Sequence, residues 1–340
     1  MKSFRWLYIL SLLMTILIPQ TAGAQQPGSE TAYEVKSGPF IGLDLTAEFE
    51  RWGGYTEYEI DVGTTTYGPT GESVSVGSRL RFPIGIFALR LQTDLALGSF
   101  SLRPNFVFNI ANSGNTFKDY DWYEGTGGQT TFIYGVADND ESMFGLGFSA
   151  GYGLKAGKFR FMPKFDFTWM RFVFDNENLT QFDYAYFDGS GRIYPLDEAH
   201  RYDTTGAVIR YTVNYIVFSL GGEVTYESPF GVYGMVDLLF SPITIVDDLD
   251  EHLLRGKDSE ISATGTSGMF ELRTGYRVSP RLSFYGGISY RYIKTSGDQD
   301  QTIPRSDGSV LTTTIPATTL AEWTTFSLGL TFSLNSPDSN

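Results

Sequence analysis

The chain has no cysteine, only two histidines, and fewer basic than acidic residues. The missing cysteine excludes disulfide scaffolds, thiol nucleophiles and zinc ribbons, and the scarce imidazole leaves few nitrogen ligands for a metal. With 25 Lys+Arg against 39 Asp+Glu, the formal net charge is −14. That balance offers no basic footprint for nucleic acid. Beyond Ile18 no apolar run approaches the ~20 residues of a membrane-spanning helix, which excludes a helical membrane protein. What remains is a chain of 340 residues with 38 glycines, 16% aromatics and no long helical pattern, a composition that points to β structure.

The first residues read as an address. Lys2 and Arg5 precede the apolar run Trp6 to Ile18, and Thr21-Ala22-Gly23-Ala24 ends in the small residues a signal peptidase accepts. This predicts a signal peptide over 1–24, then a polar lead-in over 25–37. Removing Lys2 and Arg5 takes the net charge to −16.

Thereafter the pattern alternates with period two. Phe159, Phe161, Phe165, Phe167 and Trp169 oppose Lys158, Arg160, Lys164, Asp166 and Thr168. Phe326, Leu328, Leu330, Phe332 and Leu334 oppose Thr325, Ser327, Gly329, Thr331 and Ser333, and 281–294 repeats the theme. An aromatic face backed by a charged one suits lipid outside and an internally paired polar lumen, whereas a soluble sandwich would turn its charges outward. The expected fold is therefore all-β, a ten-stranded antiparallel transmembrane β-barrel over 38–334, with a tail at 335–340. Strands are expected near 38–59, 72–97, 100–113, 142–156, 158–175, 207–228, 230–246, 266–279, 281–294 and 321–334. Short turns at Gly98-Ser99, Gly157-Lys158, Ser228-Pro229-Phe230-Gly231 and Ser279-Pro280-Arg281 mark the periplasmic rim. Long polar loops near 60–71, 114–141, 176–206, 247–265 and 295–320 mark the extracellular one.

Chemistry is expected where strands run into those loops. In extended chain, residues i and i+2 point the same way, so Asp119 and Asp121 form a same-face carboxylate pair, and Asp250 and His252 a carboxylate–imidazole pair. An acid beside a histidine fixes its tautomer and raises its basicity towards water. Two close carboxylates resist joint ionisation, so one can hold a proton or orient that water. Solvated loop charge is the competing reading for each pair. Asp138, Asp140, Asp298 and Asp300 read as solvated acids and His200 as an exposed loop residue. None of the acidic stretches has the spaced oxygen ligands of a calcium loop.

The order of strands and loops, with Asp119-Tyr120-Asp121-Trp122 at the second long loop and Asp248-Leu249-Asp250-Glu251-His252 at the fourth, resembles the omptins, ten-stranded outer-membrane endoproteases of Gram-negative bacteria. The resemblance covers essentially the whole chain after residue 24. It implies an Asp-Asp pair (Asp119, Asp121) facing an Asp-His pair (Asp250, His252) across the extracellular mouth, with a water between them. It also implies cleavage near basic residues, read by Asp248 and Glu57. Lipopolysaccharide would be required for activity, and no metal. The partners would be peptides or proteins with basic residues and outer-membrane lipid; independently of the resemblance, a small closed barrel has no edge that forces pairing, so a monomer is expected. Two features depart from the family. The second loop reads Tyr123-Glu124-Gly125-Thr126-Gly127-Gly128 where the family has Trp-Thr-Asp and then His-Pro, and a polar tail follows Phe332.

Two other functions fit a barrel of this kind. A non-enzymatic adhesin or small-solute channel would not need the four residues to meet. A lipid hydrolase would need a serine within reach of His252 on the lipid-facing wall, with Ser259 the nearest downstream.

Overall fold

The structure, a computed structural model, describes residues 41–305 and 307–334. The expected signal peptide, lead-in and C-terminal tail lie outside the described residues. In chain order the strands are β1 (Ile41–Tyr67), β2 (Glu72–Ile84), β3 (Ile86–Leu97), β4 (Phe100–Asn112), β5 (Asn115–Gly125), β6 (Gly128–Tyr152) and β7 (Leu154–Ala156). They continue with β8 (Phe159–Phe187), β9 (Ile193–Glu227), β10 (Val232–His252), β11 (Lys257–Ser279), β12 (Leu282–Pro304) and β13 (Val310–Ser333). Interruptions at Gly85, at Ser113-Gly114 and at Gly153 divide ten staves into these thirteen strands. Each stave pairs antiparallel with the next, and β13 returns to β1 from Asp44↔Ser333 to Ile60↔Ala317, closing the ring. Closure satisfies the backbone of both end strands, the condition for a sheet to sit in lipid.

The alternation sorts as the sequence predicts. Phe159, Phe161, Phe326, Leu328, Leu330 and Phe332 are exposed on the outside of the ring. Lys164 and Asp166, of opposite parity, are turned inward, where Lys164 pairs with Asp237. On β10 the outward apolar residues run from Val232 to Ile243, close to the ~9–11 residues a tilted strand needs to cross hydrocarbon.

The staves do not stop at the top of that belt. Strand β9 has 35 residues, on the order of 115 Å of extended chain at ~3.3 Å per residue, against an apolar band of ~25 Å. The segments expected as long loops are mostly the upper halves of paired strands, with short turns at 68–71, 126–127, 188–192, 253–256 and 305–309. The lipid-facing alternation ends at the membrane surface, but the hydrogen-bond ladder between neighbouring staves continues above it.

Inside the barrel, two layers are stacked. The lower one is charged: Arg103 bridges Asp94 (2.7 Å) and Glu223, Arg90 meets Glu50 (2.7 Å), and Arg273 meets Glu48 (3.1 Å). Above it lies an aromatic layer in which Trp52 stacks on Trp323 (5.6 Å), Phe172 packs on both, and Phe82 stacks on Tyr211 (4.1 Å). Phe82, Phe172, Phe174, Tyr211 and Tyr215 are fully buried. Each aromatic contact adds roughly 0.5–1.5 kcal/mol beyond its buried area, so this layer closes the lumen and forms a floor.

Candidate active site

The floor has a polar crown. Two of its tyrosines turn their hydroxyls upward, Tyr58 to Asp250 Oδ2 and Tyr211 to Asp248 Oδ2 at 2.8 Å. A buried phenol needs an acceptor, and a buried carboxylate needs donors; each answers the other's need.

A bulge in β10 brings those acids inside. Below it, Asp237 and Leu239 are buried in the lumen while Leu238 and Phe240 face out. Between Ser241 and Thr244 the register shifts against β11, and between Phe240 and Ile243 it shifts against β9, so β10 carries one extra residue. Ser241 Oγ donates to the Ile243 carbonyl at 2.8 Å and holds the kink. Above it the parity is reversed: Ile243 faces out, and Thr244, Val246, Asp248 and Asp250 are buried inside. A bulge re-aims every side chain beyond it, and without this one the Asp248-Asp250-His252 set would point outward.

Asp250 is fully buried, and His252 Nε2 lies 2.9 Å from the same Oδ2. Its Oδ1 is buried with no hydrogen-bond partner among the described residues. Across the ring, β5 lies on β2, with Asp119 opposite Leu80 and Asp121 opposite Ser78. Asp119, Asp121 and His252 line one cavity of about 260 Å³, together with Tyr58. All of these groups lie above the apolar belt. Burial pushes the Asp119 carboxyl well above the usual carboxylate range, and the charges of Asp121 and then Asp250 push it the same way. Asp121 is raised as well, chiefly by burial, against the opposing pull of Ser78, Arg255 and Lys257. Asp119 and Asp121 therefore form a coupled acid pair that holds a proton more readily than two separate carboxylates would.

The two residues expected to read a basic side chain are not in this cavity. Glu57 alternates with Thr56 and Tyr58, which face inward to Tyr215 and Asp250. It therefore lies on the other face of β1, where Arg81 Nε donates to it at 2.7 Å and the Arg81 guanidinium covers the Tyr55 ring. This corrects the expectation for Glu57: a shift of one position along a strand exchanges the two faces. Asp248 does face inward, but beneath the cavity. It is buried, and its oxygens accept from Tyr211 and from the Ile261 amide at 3.0 Å.

His200 is exposed, as are Asp138, Asp140, Asp298 and Asp300. Ser259 sits across from Asp250 on β11, fully buried, and its hydroxyl makes no hydrogen bond among the described residues. It is on the inner face and does not reach His252, which removes the geometry a lipid hydrolase would need. Four further residues belong to the site beyond those the sequence singles out: Tyr58 and Tyr211 in the crown, and Arg255 and Lys257 on the cavity wall. Inward parity one position from Glu57 is the only sequence signal for Tyr58. The two cations sit in a turn and its edge, where period two gives no guide.

No known family's sequence profile matches the chain, and no curated protein matches it. Among solved structures, the outer membrane protease OmpT from Escherichia coli is similar, with a TM-score of 0.71 at 13% identity over 86% of this chain and 97% of that one. The outer membrane protein OprG from Pseudomonas aeruginosa matches at a TM-score of 0.31 and 11% identity, over 86% of this chain and 96% of that one. At such identities the likeness to the protease bears on the fold, which is that of an outer-membrane β-barrel.

Proposed function

We propose that this outer-membrane barrel is an endopeptidase of the omptin kind, with its site turned to the cell exterior. The observation that carries the reading is the convergence of an acid pair, Asp119 and Asp121, and an acid-oriented imidazole, His252, on one cavity above the lipid belt.

The chemistry follows from the geometry. With His252 Nε2 directed at Asp250, Nδ1 is the nitrogen that takes a proton from water. The water oxygen adds to the scissile carbonyl carbon as its O–H proton passes to Nδ1. Asp250, held by Tyr58, stabilises the imidazolium that results. The Asp119–Asp121 pair, sharing a proton, donates a hydrogen bond to the carbonyl oxygen as negative charge grows there. When the C–N bond breaks, the imidazolium returns its proton to the leaving amine. Hydrolysis is complete with no group changed.

The channel alternative has to contend with the aromatic layer, which fills the lumen directly beneath the cavity. The test is incubation of the purified barrel with a peptide mixture, in the presence and absence of lipopolysaccharide, which the resemblance implies is needed. New termini that vanish in His252→Ala support the reading. No cleavage in either condition ends it.

A further inference from the structure

We infer that the side chain this site holds beside the scissile bond is aliphatic or otherwise uncharged and apolar, not basic. The inference rests on the endopeptidase reading and names its substrate class.

Three observations carry it. First, the cavity that holds Asp119, Asp121 and His252 is walled largely by Ile60, Leu80, Ile133, Leu179, Ile209 and Ile315, one from each of six strands. Burying a lysine or arginine against such walls strips its hydration without replacing it, whereas an aliphatic chain gains from the same transfer. Second, neither of the two acids expected to receive a cation lines the cavity. Glu57 is on the outer face with Arg81, and Asp248 lies in the crown of the floor, beneath the cavity, with its oxygens occupied. Third, the acids that do line the cavity are balanced. Arg255 and Lys257 share it with Asp119 and Asp121, and both cations act on both acids, so two positive charges face an acid pair that holds one proton between its members. The remaining polar lining, Ser78, Gln181, Gln299 and Gln301, is uncharged. The overall negative charge of the chain therefore does not translate into a field for cations at the reacting carbonyl.

A peptide library with every residue equally represented around the cut, digested by the intact barrel in lipopolysaccharide-containing micelles and read by sequencing the new termini, decides the matter. Cuts flanked by Leu, Ile, Val or Phe are expected to outnumber those flanked by Lys or Arg by about tenfold or more, the scale on which an apolar pocket discriminates. Leu179→Glu, which puts a carboxylate on a partly buried part of the wall, should raise the Lys/Arg share of cuts by about tenfold. Enrichment of Lys or Arg in the unsubstituted protein overturns the substrate class while leaving the endopeptidase standing. An unchanged preference in Leu179→Glu overturns the assignment of this cavity as the reading pocket. Absence of cleavage overturns both readings together.

Discussion

The hydroxyl of Tyr58 and the Nε2 of His252 meet on one oxygen, Oδ2 of Asp250, although 194 positions separate the tyrosine from the histidine in the chain. The tyrosine anchors the acid from the floor, and the acid orients the imidazole above it.

Tyr58→Phe removes that anchor and keeps the ring. The barrel should fold with a loss of about 1–3 kcal/mol, the cost of leaving a buried acceptor short of a donor. Turnover should fall by about tenfold, with little change in KM, because the acid stabilises charge that appears only during reaction. A KM change without a kcat change would assign Tyr58 to substrate binding instead.

His252→Ala and Asp119→Ala should each lower peptide cleavage by at least ~10²-fold, the scale of losing a positioned proton-transfer group. Heat-modifiable migration on gels should remain that of a closed barrel. Activity near that of the unsubstituted protein in either variant contradicts the mechanism.

Asp119 links the site to pH. Its folded pKa lies above its unfolded value, chiefly through burial, so its contribution to stability is complete below the unfolded value of ~3.9 and is lost as pH rises through the folded one. Asp119→Asn resembles the protonated form. It should raise the unfolding midpoint in detergent at about pH 8 and leave it unchanged at about pH 3. A gain of equal size at both pH values would mean that ionisation is not the cause.

Deleting Pro242 removes the extra residue of the bulge and should restore a regular ladder between β10 and its neighbours. Asp250 and His252 would then face outward. Cleavage should be lost even in the fraction that assembles as a barrel, and a cysteine placed at position 252 should change from lumen-facing to outward-facing, labelled freely from the solvent above the lipid belt.

The charged lumen is a matter of stability rather than of turnover. Arg103→Ala strands Asp94 and Glu223, both inside the barrel. Breaking such a buried network by removing one partner costs about 3–5 kcal/mol. The urea midpoint should drop accordingly, with kcat/KM of the folded fraction unchanged.

Period-two alternation, set by the pleat, is enough to read the ring of ten staves, the lipid face and the short-turn rim from the residues alone. The same rule makes Asp119 a face-mate of Asp121, and Asp250 of His252, by spacing in the chain. Alternation says which residues share a face, but not which face is the inner one once the register slips. The bulge at Ser241–Thr244 decides that for Asp248, Asp250 and His252, and a single position decides it against Glu57 and for Tyr58. The cavity walls, the balancing cations and the aromatic floor come from strands remote in the chain and are settled only by ring closure. Local geometry fixes direction relative to a neighbour, whereas what that direction points at depends on the whole barrel.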